Sequence, residues 1–124
     1  MAFYDSDKHL IPIMMQLIAE NVGEKTYDFE LARECSRHAV RMSHIGECFS
    51  SDAFSFIGVP ENVLSEIIFD GDFVGTAEKI VERLLSSPKH RNKIEQYPII
   101  GIGTSVGYGL CGETRLYVVQ RFRC

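Results

Sequence analysis

Apolar residues recur along this chain at helical spacing in three places and at strand spacing near its end. From Leu10 to Asn21 the run L-I-P-I-M-M-Q-L-I-A-E-N is mostly apolar, with Gln16 and Glu20 marking a polar side. This predicts a helix with Pro12 in its first turn and Gly23 as its stop. Leu31, Cys35, His38 and Met42 fall on one face of a second helix, for which Asp28 is the predicted N-cap. His38, on that face, is expected to pack in or beside the core. Ile80, Val81, Leu84 and Leu85 share the core face of a third helix, Ala77–Leu85, with Thr76 as its cap, while Glu78, Lys79, Glu82 and Arg83 face water. That helix ends at Ser86-Ser87-Pro88, and the basic segment Lys89-His90-Arg91-Asn92-Lys93 turns the corner.

Two strands follow, Ile99–Thr104 and Leu116–Phe122, rich in β-branched and aromatic residues and joined by a glycine-rich connection. The glycine run from Gly101 to Gly112 lacks the G-x-x-x-x-G-K-[ST] order and opens no helix, so it serves turns and bulges and not a phosphate. The middle of the chain is less regular. Glu47–Ile57, with Phe49, Phe54 and Phe56, carries no firm element; Leu64–Phe69 reads as a short helix or a strand; Asp70-Gly71-Asp72 reads as a turn.

Length and composition narrow the classes. A chain of 124 residues, 45% apolar and 24% charged, suits one soluble domain with a single core. A net charge of −4 gives no pull toward nucleic acid, and no apolar run reaches the ~20 residues that span a bilayer. Met1–Lys8 has no basic-then-apolar leader pattern, so the expectation is a cytoplasmic protein or one whose leader has been removed. Cys35, Cys48, Cys111 and Cys124 allow three disulfide pairings or four reduced thiols acting as small apolar residues; no C-x-x-C spacing marks a zinc ribbon or a redox pair.

Several segments together resemble the CAP superfamily (cysteine-rich secretory proteins, antigen 5 and pathogenesis-related proteins), most closely its short prokaryotic-type SCP domains. Ser87-Pro88-Lys89-His90-Arg91 stands for the family's S-P-G-H-R, Gly101-Ile102-Gly103 for its G-x-G, and Tyr117–Phe122 for its final aromatic strand. Tyr27-Asp28-Phe29-Glu30-Leu31-Ala32 is similar to its W-D-P-E-L-A, and Pro60-Glu61-Asn62-Val63 to its G-E-N-[IV]. Leu84 takes the place of its helical tryptophan and Ser87 that of a second cavity glutamate. Ser43-His44 resembles its Ser-His pair, although several residues usually separate that pair from the helical methionine and here Ser43 follows Met42 directly.

The resemblance implies an α+β fold over residues 1–124, a three-layer α/β/α sandwich of the CAP type around a mostly antiparallel sheet. It implies an extracytoplasmic or secreted setting, where disulfides persist. It implies a polar cavity built from His44, Glu61, His90 and Ser87, with His44 and His90 as ligands for Zn2+ or another divalent metal. Two imidazoles and a carboxylate suit such an ion and leave a position for water. The same groups form, on the other reading, a hydrogen-bonded cluster in which Glu61 fixes a histidine tautomer. The function implied is a binding module for a protein, lipid or cell-surface ligand. The alternative is a metal-dependent protease or esterase; no H-E-x-x-H or G-x-S-x-G supports it.

Overall fold

The computed structural model describes residues 5–53, 58–67 and 72–124. The expected features at Phe54, Phe56, Phe69, Asp70 and Gly71 lie outside them. The elements run α1 (Asp5–Val22), β1 (Thr26–Tyr27), α2 (Phe29–Ile45), a 3₁₀ turn (Ser51–Ala53), β2 (Glu61–Ile67), α3 (Phe73–Ser86), α4 (Pro88–Gln96), β3 (Ile99–Tyr108) and β4 (Thr114–Arg123). The strands lie in the order β1-β3-β4-β2; β3–β4 and β4–β2 are antiparallel and β1–β3 is parallel. The sheet is therefore mostly antiparallel, and the fold is the α+β class expected.

Strand alternation assigns the two faces. Ile100 and Ile102 of β3 and Leu116, Val118 and Phe122 of β4 pack against Leu10, Met14 and Ile18 of α1, Ile80 and Leu84 of α3, and Ile94 of α4. On the opposite face Tyr117 and Val119 of β4 pack against Cys35, Ala39 and Met42 of α2. Three layers result, with α2 on one side of the sheet and α1, α3 and α4 on the other.

The glycine run belongs to this packing. A Cβ on Gly101 would lie 2.5 Å from the Ala32 amide nitrogen, and one on Gly107 would lie 2.7 Å from Ser43 Cβ; one on Gly103 would collide with the Ser36 amide. Three of the β3 positions facing α2 are thus bare, so that the backbone of α2 can rest on the strand, and the fourth, Ser105, meets the Ser43 hydroxyl at 3.0 Å. Most of the run is strand, and only residues 109–113 form the turn, closed by Gly109 N–H to the Glu113 carbonyl at 2.7 Å.

Some boundaries differ from those the pattern predicts. α1 starts at Asp5, so Pro12 sits inside the helix and not in its first turn. Asp7 gives the added turn a structural role: its carboxylate accepts from the Thr104 N–H (2.5 Å), the Thr104 hydroxyl (2.6 Å) and the Ser36 hydroxyl (2.7 Å). Those bonds satisfy a β3 amide beyond the reach of the two-residue β1. Asp72, not Thr76, caps α3, accepting from the Gly75 N–H at 3.0 Å; Thr76 is buried one turn in. The basic corner is itself a helix, α4, because Pro88 is preorganised for a first helical position. β2 begins at Glu61, three residues before the segment Leu64–Phe69 that left helix and strand open.

Candidate functional site

Glu61 opens β2 and faces the α2 side of the sheet, directly paired in register with Arg121 on β4. Its carboxylate accepts from the Ser51 N–H at 2.9 Å, the Ser51 hydroxyl at 2.5 Å and Arg121 Nε at 3.0 Å. Arg121 Nη2 closes the triangle on Ser51 Oγ at 2.9 Å. The two charged side chains are 6% and 7% exposed, so this is a buried ion pair with its hydrogen bonds largely made. His38 lies close enough for both charges to act on it. Its Nε2–H donates to the Phe49 carbonyl at 2.7 Å, which leaves Nδ1 to accept from Arg41 at 2.9 Å. Burial is the main cause that holds the His38 imidazole below its ordinary pKa. The expectation that His38 packs in the core agrees with its full burial.

His90 is placed differently. It sits one turn into α4, half-buried, and its backbone carbonyl accepts from Asn62 Nδ2 at 3.1 Å. Asn62 also donates to Gln120 Oε1 at 3.1 Å and accepts from Lys93 Nζ at 3.3 Å, and Lys93 donates to the Glu61 carbonyl at 3.0 Å. This network ties α4 to the edge strand β2, and it gives Asn62 the backbone-bracing role that its residue type suggests. Burial first, then Lys93 and Lys89, push the His90 pKa down, so the imidazole is neutral at pH 7.

A cleft of about 280 Å³ opens beside it, lined by Ser87, His90, Arg83, Val63, Ser65 and Cys48. Ser87 is the N-cap residue of α4 but makes no side-chain cap bond. It stands one helical turn from His90 on the same cleft.

The four expected site residues therefore divide. Ser87 and His90 share a cleft. Glu61 is turned into the α2 layer and engaged by Arg121. His44 is exposed in the last turn of α2, where the helix dipole favours it, and does not line the cleft. Among the described residues no group of three His, Cys, Asp or Glu side chains is arranged to hold a metal ion. The place beside Glu61 belongs to Ser51. Ser51 and Arg121 were not singled out from the sequence. The distance from Met42 could have pointed to Ser50-Ser51, but only strand register reveals Arg121.

This arrangement, α2 on one face of a β1-β3-β4-β2 sheet and α1, α3 and α4 on the other, is the CAP fold. The chain is similar to an outer surface protein from Borrelia burgdorferi, at 15% identity, covering 100% of this chain and 97% of that one with a TM-score of 0.60. It is similar to the structure of NaASP2 with Zn2+, at 12% identity, covering 98% and 80% with a TM-score of 0.55. It is also similar to MpPR-1i, at 10% identity, covering 95% and 85% with a TM-score of 0.54. The sequence matches no family model and no curated protein sequence. At these identities the likeness carries the fold alone. No helix among the described residues is long and apolar enough to cross a membrane.

The Glu61 carboxylate already has a cation, the Arg121 guanidinium, at hydrogen-bond distance, and His44 and His90 do not join it in a three-ligand group.

Proposed function

We propose that this chain is a non-enzymatic, extracytoplasmic CAP-fold binding module, a single domain that takes a protein, lipid or cell-surface ligand at the cleft of Ser87, His90, Ser65 and Cys48. The observation that carries this reading is the Glu61–Arg121–Ser51 triangle. A hydrolase of this fold would need a carboxylate free to act as base or to hold a metal-bound water. Here that carboxylate is neutralised within the protein. What the cleft offers instead is a neutral imidazole beside hydroxyl groups, which suits hydrogen bonding to an uncharged polar group such as an amide or an alcohol.

A second reading is favoured by the zinc-bound structure of NaASP2. In it His90, neutral and therefore able to ligate, holds a divalent ion, and the metal-dependent hydrolase is its extension. Calorimetric titration of metal-stripped protein with zinc separates the two, with His90→Ala and Glu61→Gln beside the wild type. The binding-module reading expects no saturable zinc isotherm that depends on Glu61. One zinc per chain, lost in both variants, would overturn it and make peptidase and esterase assays the next step.

A further inference from the structure

Of the four cysteines, the fold buries Cys35 and sets Cys124 far from Cys111. Cys35 is fully buried in the α2 layer, its thiol donates to the Gly101 carbonyl at 3.4 Å, and burial pushes its pKa far up. Cys124 follows β4 at the end opposite the turn. Ten residues of strand at about 3.3 Å each put it roughly 30 Å from Cys111. Cys48 and Cys111 are both exposed, and both line one cleft of about 530 Å³ between the loop after α2 and the β3–β4 turn. Those two loops already touch. A Cβ on Gly46 would lie 3.1 Å from the Tyr108 carbonyl and 3.8 Å from the Leu110 side chain, so contact falls close in sequence to each cysteine. Gly112, with φ of +83°, and Gly109 flank Cys111 and let its turn adjust to the bonded geometry.

We infer that Cys48 and Cys111 are a disulfide-forming pair that fastens the β3–β4 turn to the loop between α2 and the 3₁₀ turn. The oxidant is an external disulfide. One protein thiolate attacks it, forming a mixed disulfide and releasing one small thiol. The other protein thiolate then displaces the second small thiol. The protein loses two electrons and two protons, and the external disulfide becomes two thiols. The fastened loop is the one that delivers Phe49 to His38 and Ser51 to Glu61. Oxidation therefore rigidifies the support of the buried ion pair, and it does so whatever the neighbouring cleft binds.

The test is to incubate the native full chain with glutathione disulfide, alkylate the remaining thiols, digest with trypsin without reductant and measure masses. The expected product links the peptide spanning 42–79 to the one spanning 94–115, which hold Cys48 and Cys111 as their sole cysteines. The thermal midpoint should rise by roughly 5–15 °C on oxidation, and Cys48→Ser should abolish the rise. Alkylated Cys48 and Cys111, or two separate glutathione adducts with no cross-link, would overturn the pairing, as would a Cys48–Cys124 bond. A Cys124→Ser chain run in parallel guards against intermolecular disulfides, and it should give the same cross-link.

Discussion

Replacing Arg121 by methionine removes the cation beside Glu61 while keeping most of the aliphatic stem. Glu61 is then left 6% exposed, with two bonds from Ser51 and no counter-charge. Breaking a buried pair from one side costs about 3–5 kcal/mol, because the remaining charge stays desolvated. Unfolding entropy of about 2.1 cal/mol/K per residue, taken over 124 residues, amounts to roughly 0.26 kcal/mol/K. A loss of about 3–5 kcal/mol therefore lowers the thermal midpoint by roughly 12–19 °C. Urea denaturation of the single variants and of Glu61→Gln/Arg121→Met completes the cycle. The double variant should recover most of the loss, since a pair replaced together costs little. An Arg121→Met loss below about 1 kcal/mol, or a double variant no better than the single, would refute the claim that Arg121 serves Glu61 as its built-in counter-ion.

Three further outcomes follow from the packing and the protonation states. Gly103→Ala must push α2 off β3 at the Ser36 amide, so it should cost at least the ~1–3 kcal/mol typical of overpacking, read as a lower urea midpoint at unchanged slope. His38 and His90 are both held below the ordinary value of 6.5 in the fold, so the unfolded chain binds more protons between the lowered values and 6.5. Stability should hold above pH 6.5 and fall as pH drops below it, with His38→Gln removing part of that slope. Asp7, raised above 3.8, contributes with the opposite sign, losing stability as pH rises through its folded value, and Asp7→Asn should remove that contribution.

The three amphipathic helices and the terminal hairpin were legible because each buries one face, and burial writes itself as periodicity. Asp28 was legible as a cap because an N-cap is a local contact, and it accepts from both Glu30 and Leu31. β1 was not, since two residues pairing with Ile99 and Ile100 leave no period. α4 was hidden by its composition, with only Ile94 buried among basic and polar neighbours. The site was legible only in part for a related reason. Ser87 and His90 share a helix and a cleft, so local spacing placed them together. His44 rested on the resemblance of Ser43-His44 to a Ser-His pair, despite its adjacency to Met42, and the α2 helix runs on through Ile45 and carries that imidazole out to solvent. The contact that decides the chemistry, Glu61 to Arg121, joins residues sixty apart and exists only through the β2–β4 register.

The glycines of β3 bear on that contact. α2 rests on bare strand at Gly101 and Gly103, so beside them the side chains on this face of the sheet come from β4 and β2, and there β4 places Tyr117, Val119 and Arg121. Arg121 is flanked by Gly101 on one side and by Glu61 on the other. An arginine at that register needs a buried anion, and a glutamate at position 61 needs a buried cation. Ser51, small and able both to donate and to accept, fills the remaining corner without displacing the guanidinium. The Glu61 and Arg121 charges are thereby spent in holding the 3₁₀ turn and two strands together beneath α2. Away from them, on β2, Asn62 holds the His90 backbone in place.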